Sequence, residues 1–476
     1  MPVVYTLLDD MSAWVGRYTR RSITAAATAV LAIAAVTWPS IVGAQPTSTR
    51  TLTLEEALAI AAAQNRDVQK AVEYQNWVRA KYVEERASAL PQVTFSGNAL
   101  RQFDDSQSRL FRNFTGFGDT PSSSVDIREI FGGRQDVRIA EVRITQPLFT
   151  WGQVGAAVRA ARVGYGFADA QLRRFRQSVA KDVSTAFYDV LAARELAALA
   201  SEDLAQKQRH HDRAKDRRAI GVATEYDVLA AEVVVKNARP AVIRADNAVR
   251  VSREQLRFLL AETATDIDAS GTLATAVQPP PPYREMVARA LQNRPELAEL
   301  ASQRSIYAEL VTIARAADKP RIDFATAIGT RNLALPSLSA TGRTWNAAIV
   351  ATMPIFDGMR ARGRTAQAQT DLARVKLDEL KLRDAIMLEL RLAVNAVQEA
   401  GEIVTALAGT VDQAETLLFL AEKGYELGVK THLDVQDAQL NLLSAKSNLA
   451  RAQRDYHVAR VTLEWAAGTI ETGGTP

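Results

Sequence analysis

The residues able to do chemistry in this chain are few, and their spacing argues against catalysis. Cysteine is absent, and the only histidines are His210, His211, His432 and His457. Without a thiol there is no disulfide framework, no thiolate nucleophile, no cysteine-ligated metal and no lipid anchor on cysteine. His210 and His211 are adjacent, so they do not share a helix face, and no ligand cluster accompanies them in sequence. No metal site is read there. Gly428-Val429-Lys430-Thr431 has the outline of a phosphate loop but lacks its glycine spacing and its preceding strand. No Ser/His/Asp nucleophile set and no dinucleotide fingerprint occurs, so the reading is of a non-enzyme without a cofactor. Asp434 and Asp437 form the most suggestive pair. Spaced i, i+3, they share one helix face, at a helix start where the dipole already favours aspartate.

The elements that must carry these groups are mostly helices. Ala, Leu and Arg abound in the 476 residues while aromatics are only 7%, and small, strong helix formers allow long helices to approach closely. The formal charge of +4 comes from interspersed acids and bases, which leaves no nucleic-acid footprint. The N-terminus reads as an export signal over 1–44. Arg17, Arg20 and Arg21 precede an apolar run from Ile23 to Val36, Pro39 breaks it, and Val42-Gly43-Ala44 supplies small residues for cleavage before Gln45. The stretch before Arg17 is long for such a signal and marks Met11 as an alternative start. No later segment reads as long and apolar enough for a membrane helix.

An internal repeat organises the rest. Gln146-Pro147-Leu148-Phe149 recurs as Met353-Pro354-Ile355-Phe356, a spacing of 207 residues from Pro147 to Pro354. The same spacing maps Gly221-Val222 onto Gly428-Val429, Thr224 onto Thr431 and Asp227-Val228 onto Asp434-Val435. Upstream, Asn65-Arg66 matches Asn293-Arg294 and Pro91 matches Pro320, so the extra length of the first copy falls between its two prolines, where a loop tolerates it. The chain therefore divides into copies at 45–270 and 271–476.

Each copy reads as short helices, a hairpin and a long helical pair, at 153–262 and 357–467. Leu442, Ala445, Leu449, Ala452, Tyr456, Ala459 and Leu463 step by 3 and 4, as do Val235, Ala238, Val242, Ala245, Val249, Ser252 and Leu256. That is a coiled-coil seam alternating large and small knobs. Pro240 should kink the first. The helix from about Gln153 to Ala219 would be about 100 Å long at 1.5 Å per residue. Its return helix is shorter, so a helix near 67–90 could complete it end to end. Thr53 and Glu56 form a capping-box pattern, and Gly221 and Gly428 mark tight turns. Alternating apolar and polar residues predict strands at about 91–104, 135–149, 320–331 and 344–356. A phase change between Val137/Ile139 and Val142/Ile144 suggests a bulge.

One apolar face opposite a polar one suits a lipid-facing barrel, but four strands cannot close one. An open edge in lipid leaves backbone groups unpaired, so several chains would have to contribute. The competing reading is an exported, periplasm-spanning coiled-coil adaptor or spacer without a pore, which leaves the strands without a role.

The chain resembles the TolC family of outer-membrane efflux proteins from about Thr51 to Gly468. The resemblance rests on Leu54-Glu55-Glu56-Ala57-Leu58, Asn65, the Leu90-Pro91 strand entry, Gln146-Pro147-Leu148-Phe149, and paired Gly-Val-x-Thr turns followed by Asp-Val. It implies a mainly helical homotrimer. Four strands per chain would build a 12-stranded β-barrel in outer-membrane lipid, continued by a periplasmic α-helical coiled-coil barrel. The implied function is a passive, gated duct in tripartite efflux or type I secretion. Its partners would be a periplasmic adaptor protein and an inner-membrane efflux pump or ABC exporter. The resemblance further places the channel constriction at Asp434 and Asp437. It places a gate latch at Asp227, Tyr425 and Lys430, where the family's arginine is replaced by lysine. The adaptor would dock on the turns holding Gly221, Val222 and Thr224, and Gly428, Val429 and Thr431.

Overall fold

A computed structural model describes residues 50–104, 133–263, 265–335 and 339–473. The expected export signal and most of the loop between the first two hairpin strands lie outside them. The elements in chain order are β1 (Arg50–Leu52), α1 (Leu54–Gln64), α2 (Arg66–Ala87), β2 (Gln92–Asp104), β3 (Gly133–Phe149), α3 (Gln153–Ala219) and α4 (Glu225–Leu260). There follow β4 (Ile267–Ala269), α5 (Tyr283–Asn293), α6 (Pro295–Arg315), β5 (Arg321–Ala334), β6 (Ser339–Thr352), α7 (Arg360–Glu426) and α8 (His432–Ala466).

The two longest helices, α3 and α7, have 67 residues each, about 100 Å of helix at 1.5 Å per residue. Each pairs antiparallel with its shorter successor, α4 or α8. The 3,4-spaced seam explains the pairing: Val235, Ala238, Ser252 and Leu256 are buried on α4, and Ala445, Ala452, Tyr456 and Leu463 on α8. Helix α4 runs through Pro240, which leaves the Lys236 carbonyl without an amide partner. Short helices meet the return helices at their ends. Asn65 caps α2 with its side-chain oxygen and donates from Nδ2 to the Leu259 carbonyl in the last turn of α4, at 2.7 Å. Arg294, before α6, reaches the Ala466 carbonyl of α8 at 3.3 Å.

Strands β2, β3, β5 and β6 form one antiparallel sheet in chain order. Its rows explain the alternation in sequence. Phe95, Val142, Ile328 and Trp345 lie side by side across all four strands. In the single chain they are 75, 42, 67 and 79% exposed, a cost of roughly 25 cal/mol per Å² of apolar surface left in water. The neighbouring row is Ser96, Glu141, Gly329 and Thr344, on the opposite face. Gly329 packs tightly against β3: a Cβ there would stand 2.3 Å from the Ala140 carbonyl oxygen and 2.7 Å from Glu141 Cα. Gly329→Ala should therefore push the two strands apart and cost about 2 kcal/mol. A lowered melting temperature in detergent checks this, and an unchanged one refutes the close approach.

Several expectations need correction. The register of β3 is continuous through Val137–Ile144, and the irregularity falls at Pro147/Phe149. The phase change arises because the faces exchange character toward the loops. Leu100, Val137, Leu333 and Ala340 form an apolar row on the otherwise polar face, while Arg101 and Asp136 pair at 2.8 Å on the other. The fourth strand spans Ser339–Thr352 rather than 344–356, because its polar start pairs with β5 and Pro354 cannot continue the ladder. Contrary to the hydropathy reading, α7 holds an 18-residue window of mean hydropathy 1.3, of which 11% is buried. The window belongs to a helix about three times longer than a bilayer is thick, with α8 packed along its other face. A two-stranded parallel pair, β1 with β4, was not foreseen.

Candidate functional site

The predicted site residues gather at the two turns that join the long helices. Each turn begins with a left-handed glycine, Gly221 at φ +79 and Gly428 at φ +76, a backbone state that L side chains resist. The helix ends are closed by 6→1 hydrogen bonds, Val222 N–H to Arg217 carbonyl and Val429 N–H to Gly424 carbonyl, both 2.9 Å. Among the described residues, nothing beyond the glycine and its own chain neighbours lies within 4 Å of a Cβ placed on either glycine. Ile220, Val222, Leu427 and Val429 are exposed around them.

The residues after the turns start the return helices. Thr224 and Thr431 are N-caps, and each forms a reciprocal capping box with the aspartate three residues on. Asp227 Oδ2 accepts from the Thr224 backbone N–H and hydroxyl at 2.8 Å each. Asp434 Oδ2 accepts from Thr431 at 2.8 and 2.7 Å. These bonds, backbone first, hold both carboxyls below the usual carboxylate range. Lys430 lies 3.8 Å from Asp434, and its stem folds over Gly424. Asp437, one turn further along α8, is exposed and lines a cleft between the coils.

The expected latch residues all lie within a few positions of the two turns. Within the described residues, Asp227 and Lys430 bond inside their own turns and not to Tyr425. The Tyr425 hydroxyl instead accepts from Arg217 Nη1 at 2.8 Å, tying α7 to α3. Asp227 bears on Arg217 through charge alone. Sequence reasoning missed Arg217 because a basic residue in a helix's last turn is what the dipole favours anyway. The one available signal was its mismatch with Gly424 at the 207-residue spacing.

A second link joins the coils about two helical turns along α3 from Arg217. His210 of α3 and His432 of α8 face each other with ring centroids 5.6 Å apart. Gln439 Nε2 meets His210 Nε2 at 2.9 Å, and Gln436 Nε2 meets His432 Nε2 at 3.1 Å. The pair borders a cleft of about 270 Å³ with Asp203, Lys207 and Asp437. Among the described residues no group of three or more His, Cys, Asp or Glu is placed to hold a metal ion.

Comparison with known proteins places this arrangement. Over 393 residues the chain is 21% identical to the outer membrane protein TolC of Escherichia coli, covering 78% of this chain and 77% of TolC. It is 24% identical over 402 residues to the alkaline protease secretion protein AprF of Pseudomonas aeruginosa, covering 81% and 78%. Its fold matches the Campylobacter jejuni CmeC outer membrane channel with a TM-score of 0.73 at 15% identity, covering 94% of this chain and 95% of that one. The sequence model of the outer membrane efflux protein family matches residues 57–262 and 286–469. The chain belongs to that family and is an outer-membrane efflux or secretion channel with a periplasmic extension.

Proposed function

We propose that three copies of this chain close one 12-stranded barrel in outer-membrane lipid and continue it as a helical tube. The observation that carries this reading is the four-stranded sheet whose first and last strands, β2 and β6, are paired on one side only among the described residues. Lipid cannot satisfy the bare N–H and C=O groups of those edges, and barrels of this kind need at least eight strands. The family resemblance supports three copies. Bare apolar stripes support neighbours along the helices too: Tyr226, Leu229 and Val233 on α4, and Leu388 and Leu392 on α7, are exposed in the single chain.

The duct is passive, with energy supplied by an inner-membrane pump or ABC exporter through a periplasmic adaptor. The adaptor docks on the tip turns, where Ile220, Val222, Leu427 and Val429 offer exposed apolar surface beside glycines that leave room for another backbone. Asp434 and Asp437 from each chain form a cation-binding constriction, and Arg217, Tyr425 and Asp227 hold the tip closed, with Lys430 contributing little because it meets Asp434 within its own turn.

The absence of cysteine makes the test clean. One cysteine is placed on β2 and one on β6, in several pairs along the strands, and the membranes are oxidised. Ring closure gives covalent trimers and nothing larger. A ladder of growing oligomers, or a water-soluble monomer, would rule the barrel out.

A further inference from the structure

The histidine pair between the coils has no part in the latch as described above. His210 lies half-buried on α3, and His432 sits at the first position of α8, so the contact bridges the two coiled coils. In the observed arrangement the Gln439 and Gln436 carboxamide nitrogens face the two Nε2 atoms. Both imidazoles therefore accept there, the role of a neutral ring. The next residue, His211, is buried in the same stretch of α3 with its Nε2 unpaired.

We propose that His210 and His432 form a proton-operated catch: neutral, they pack the coils together, and protonated, they drive the tip apart. This rests on the gated-duct reading above. A proton on either Nε2 would put N–H against N–H. Turning the carboxamide over would relieve that clash but not the cost of a charge on the half-buried His210 ring, with Arg209 and Arg213 close by.

Charged groups of both signs surround the pair. From α3 the pair is faced by Lys207, Arg209 and Arg213, with Asp203 paired to Lys207 and Asp212 beside His211. From α8 come Asp437, Gln436 and Gln439, and from α7 the ring of Tyr425, 5.9 Å from His432. Asp227 of α4 acts on His432, Glu232 of α4 lies near His211, and Lys430 stands in the turn beside Asp434. Burial first, then His432, Arg213 and Arg209, lower the His210 pKa below its ordinary value of 6.5.

A base whose pKa is lowered in the closed state and restored on opening favours closure above its open-state value, and that preference fades as pH falls through it. Acid therefore opens the tip. One proton taken up per chain changes the closed/open ratio by at most about tenfold per pH unit. Asp227 and Asp434 stay ionised across this window, because their capping bonds hold them low.

The purified full-length channel, recorded in planar bilayers between pH 7.5 and 5.5, tests this. Open probability should rise on acidification in the native chain and stay flat in the double variant His210→Gln, His432→Gln. An acid response that survives the double variant overturns the catch. So does a native channel that Arg217→Ala opens but acid does not, and that result leaves the gate standing. If Arg217→Ala changes nothing, the gate itself is misplaced and the catch falls with it.

Discussion

Arg217→Ala is expected to open the channel more than any other single change at the helical tip. Its guanidinium supplies the bond to the Tyr425 hydroxyl between α3 and α7. A hydrogen bond from a charged donor contributes about 1.5–3 kcal/mol, and an exposed one lies toward or below the low end. At about 1 kcal/mol per chain, the three chains of the proposed trimer acting together give about 3 kcal/mol. That shifts the closed/open ratio by roughly a hundredfold. Tyr425→Phe removes only the acceptor and leaves Arg217 beside Asp227, so a smaller rise of about tenfold is expected. Lys430→Ala should do little, since Lys430 meets Asp434 only across its own turn, at 3.8 Å. Single-channel recordings of the three variants decide the order. If Lys430→Ala opens the channel as far as Arg217→Ala, the latch lies with the lysine after all.

The second large effect concerns stability. The Arg294 side chain is 5% exposed, and it joins Glu296 at 3.0 Å and Glu389, packs against the Trp465 ring, and reaches the end of α8. Arg294→Ala leaves two carboxylates facing each other without their cation. Breaking such a buried network from one side costs about 3–5 kcal/mol. Arg294→Lys should fall between, keeping the charge but losing the planar fork and the ring contact. The matched residue in the first half, Arg66, offers an internal control. It is exposed and, among the described residues, bonds only Gln69, at 2.8 Å, so Arg66→Ala should shift stability by about 0.5 kcal/mol or less. Thermal unfolding in detergent compares the two. Equal melting temperatures for Arg66→Ala and Arg294→Ala would mean the second junction is not held by its arginine.

Much of this fold is written in local signals. The capping box of Thr53 and Glu56 is formed on both sides. The 3,4-spaced seams lie buried or half-buried, because a repeat near 3.5 can bury one continuous stripe only in a paired helix. Signals that fail are those where two meanings share one pattern. The apolar residues of β3 change face without a bulge, since strand periodicity cannot distinguish an added residue from an exchange of environments. Leu-, Ala- and Val-rich stretches of α7 score as a membrane span because coiled-coil seams use the same residues as lipid-facing helices. Three-residue strands such as Arg50–Leu52 are too short to show any period.

The site divides along the same line. The tip turns were legible because only glycine suits their backbone and threonine with aspartate caps the helix that follows. The cross-coil contacts were not. Arg217 and Tyr425 meet across 208 positions of chain, and His210 and Gln439 across 229; neither pair forms a local motif. Under the 207-residue spacing Arg217 falls on Gly424, Tyr425 on Arg218, His432 on Glu225 and His210 on Leu417. A comparison of the halves that keeps only what agrees discards every one of these residues.

The bare edges of the 13-residue strand β2 and the 14-residue strand β6 also bear on how the molecule is made. A newly exported chain meets water with two strand templates exposed and an apolar row beside them, the combination that invites edge-to-edge joining. Joining is self-limiting only when the rotation between neighbours closes a ring; any other angle continues into a filament. Assembly should therefore rise more steeply than linearly with the amount of chain exported, and scarce chains should be lost to proteolysis before they meet. Biogenesis becomes a race between encounter and degradation, in which a periplasmic holding chaperone that masks β2 or β6 would set the yield.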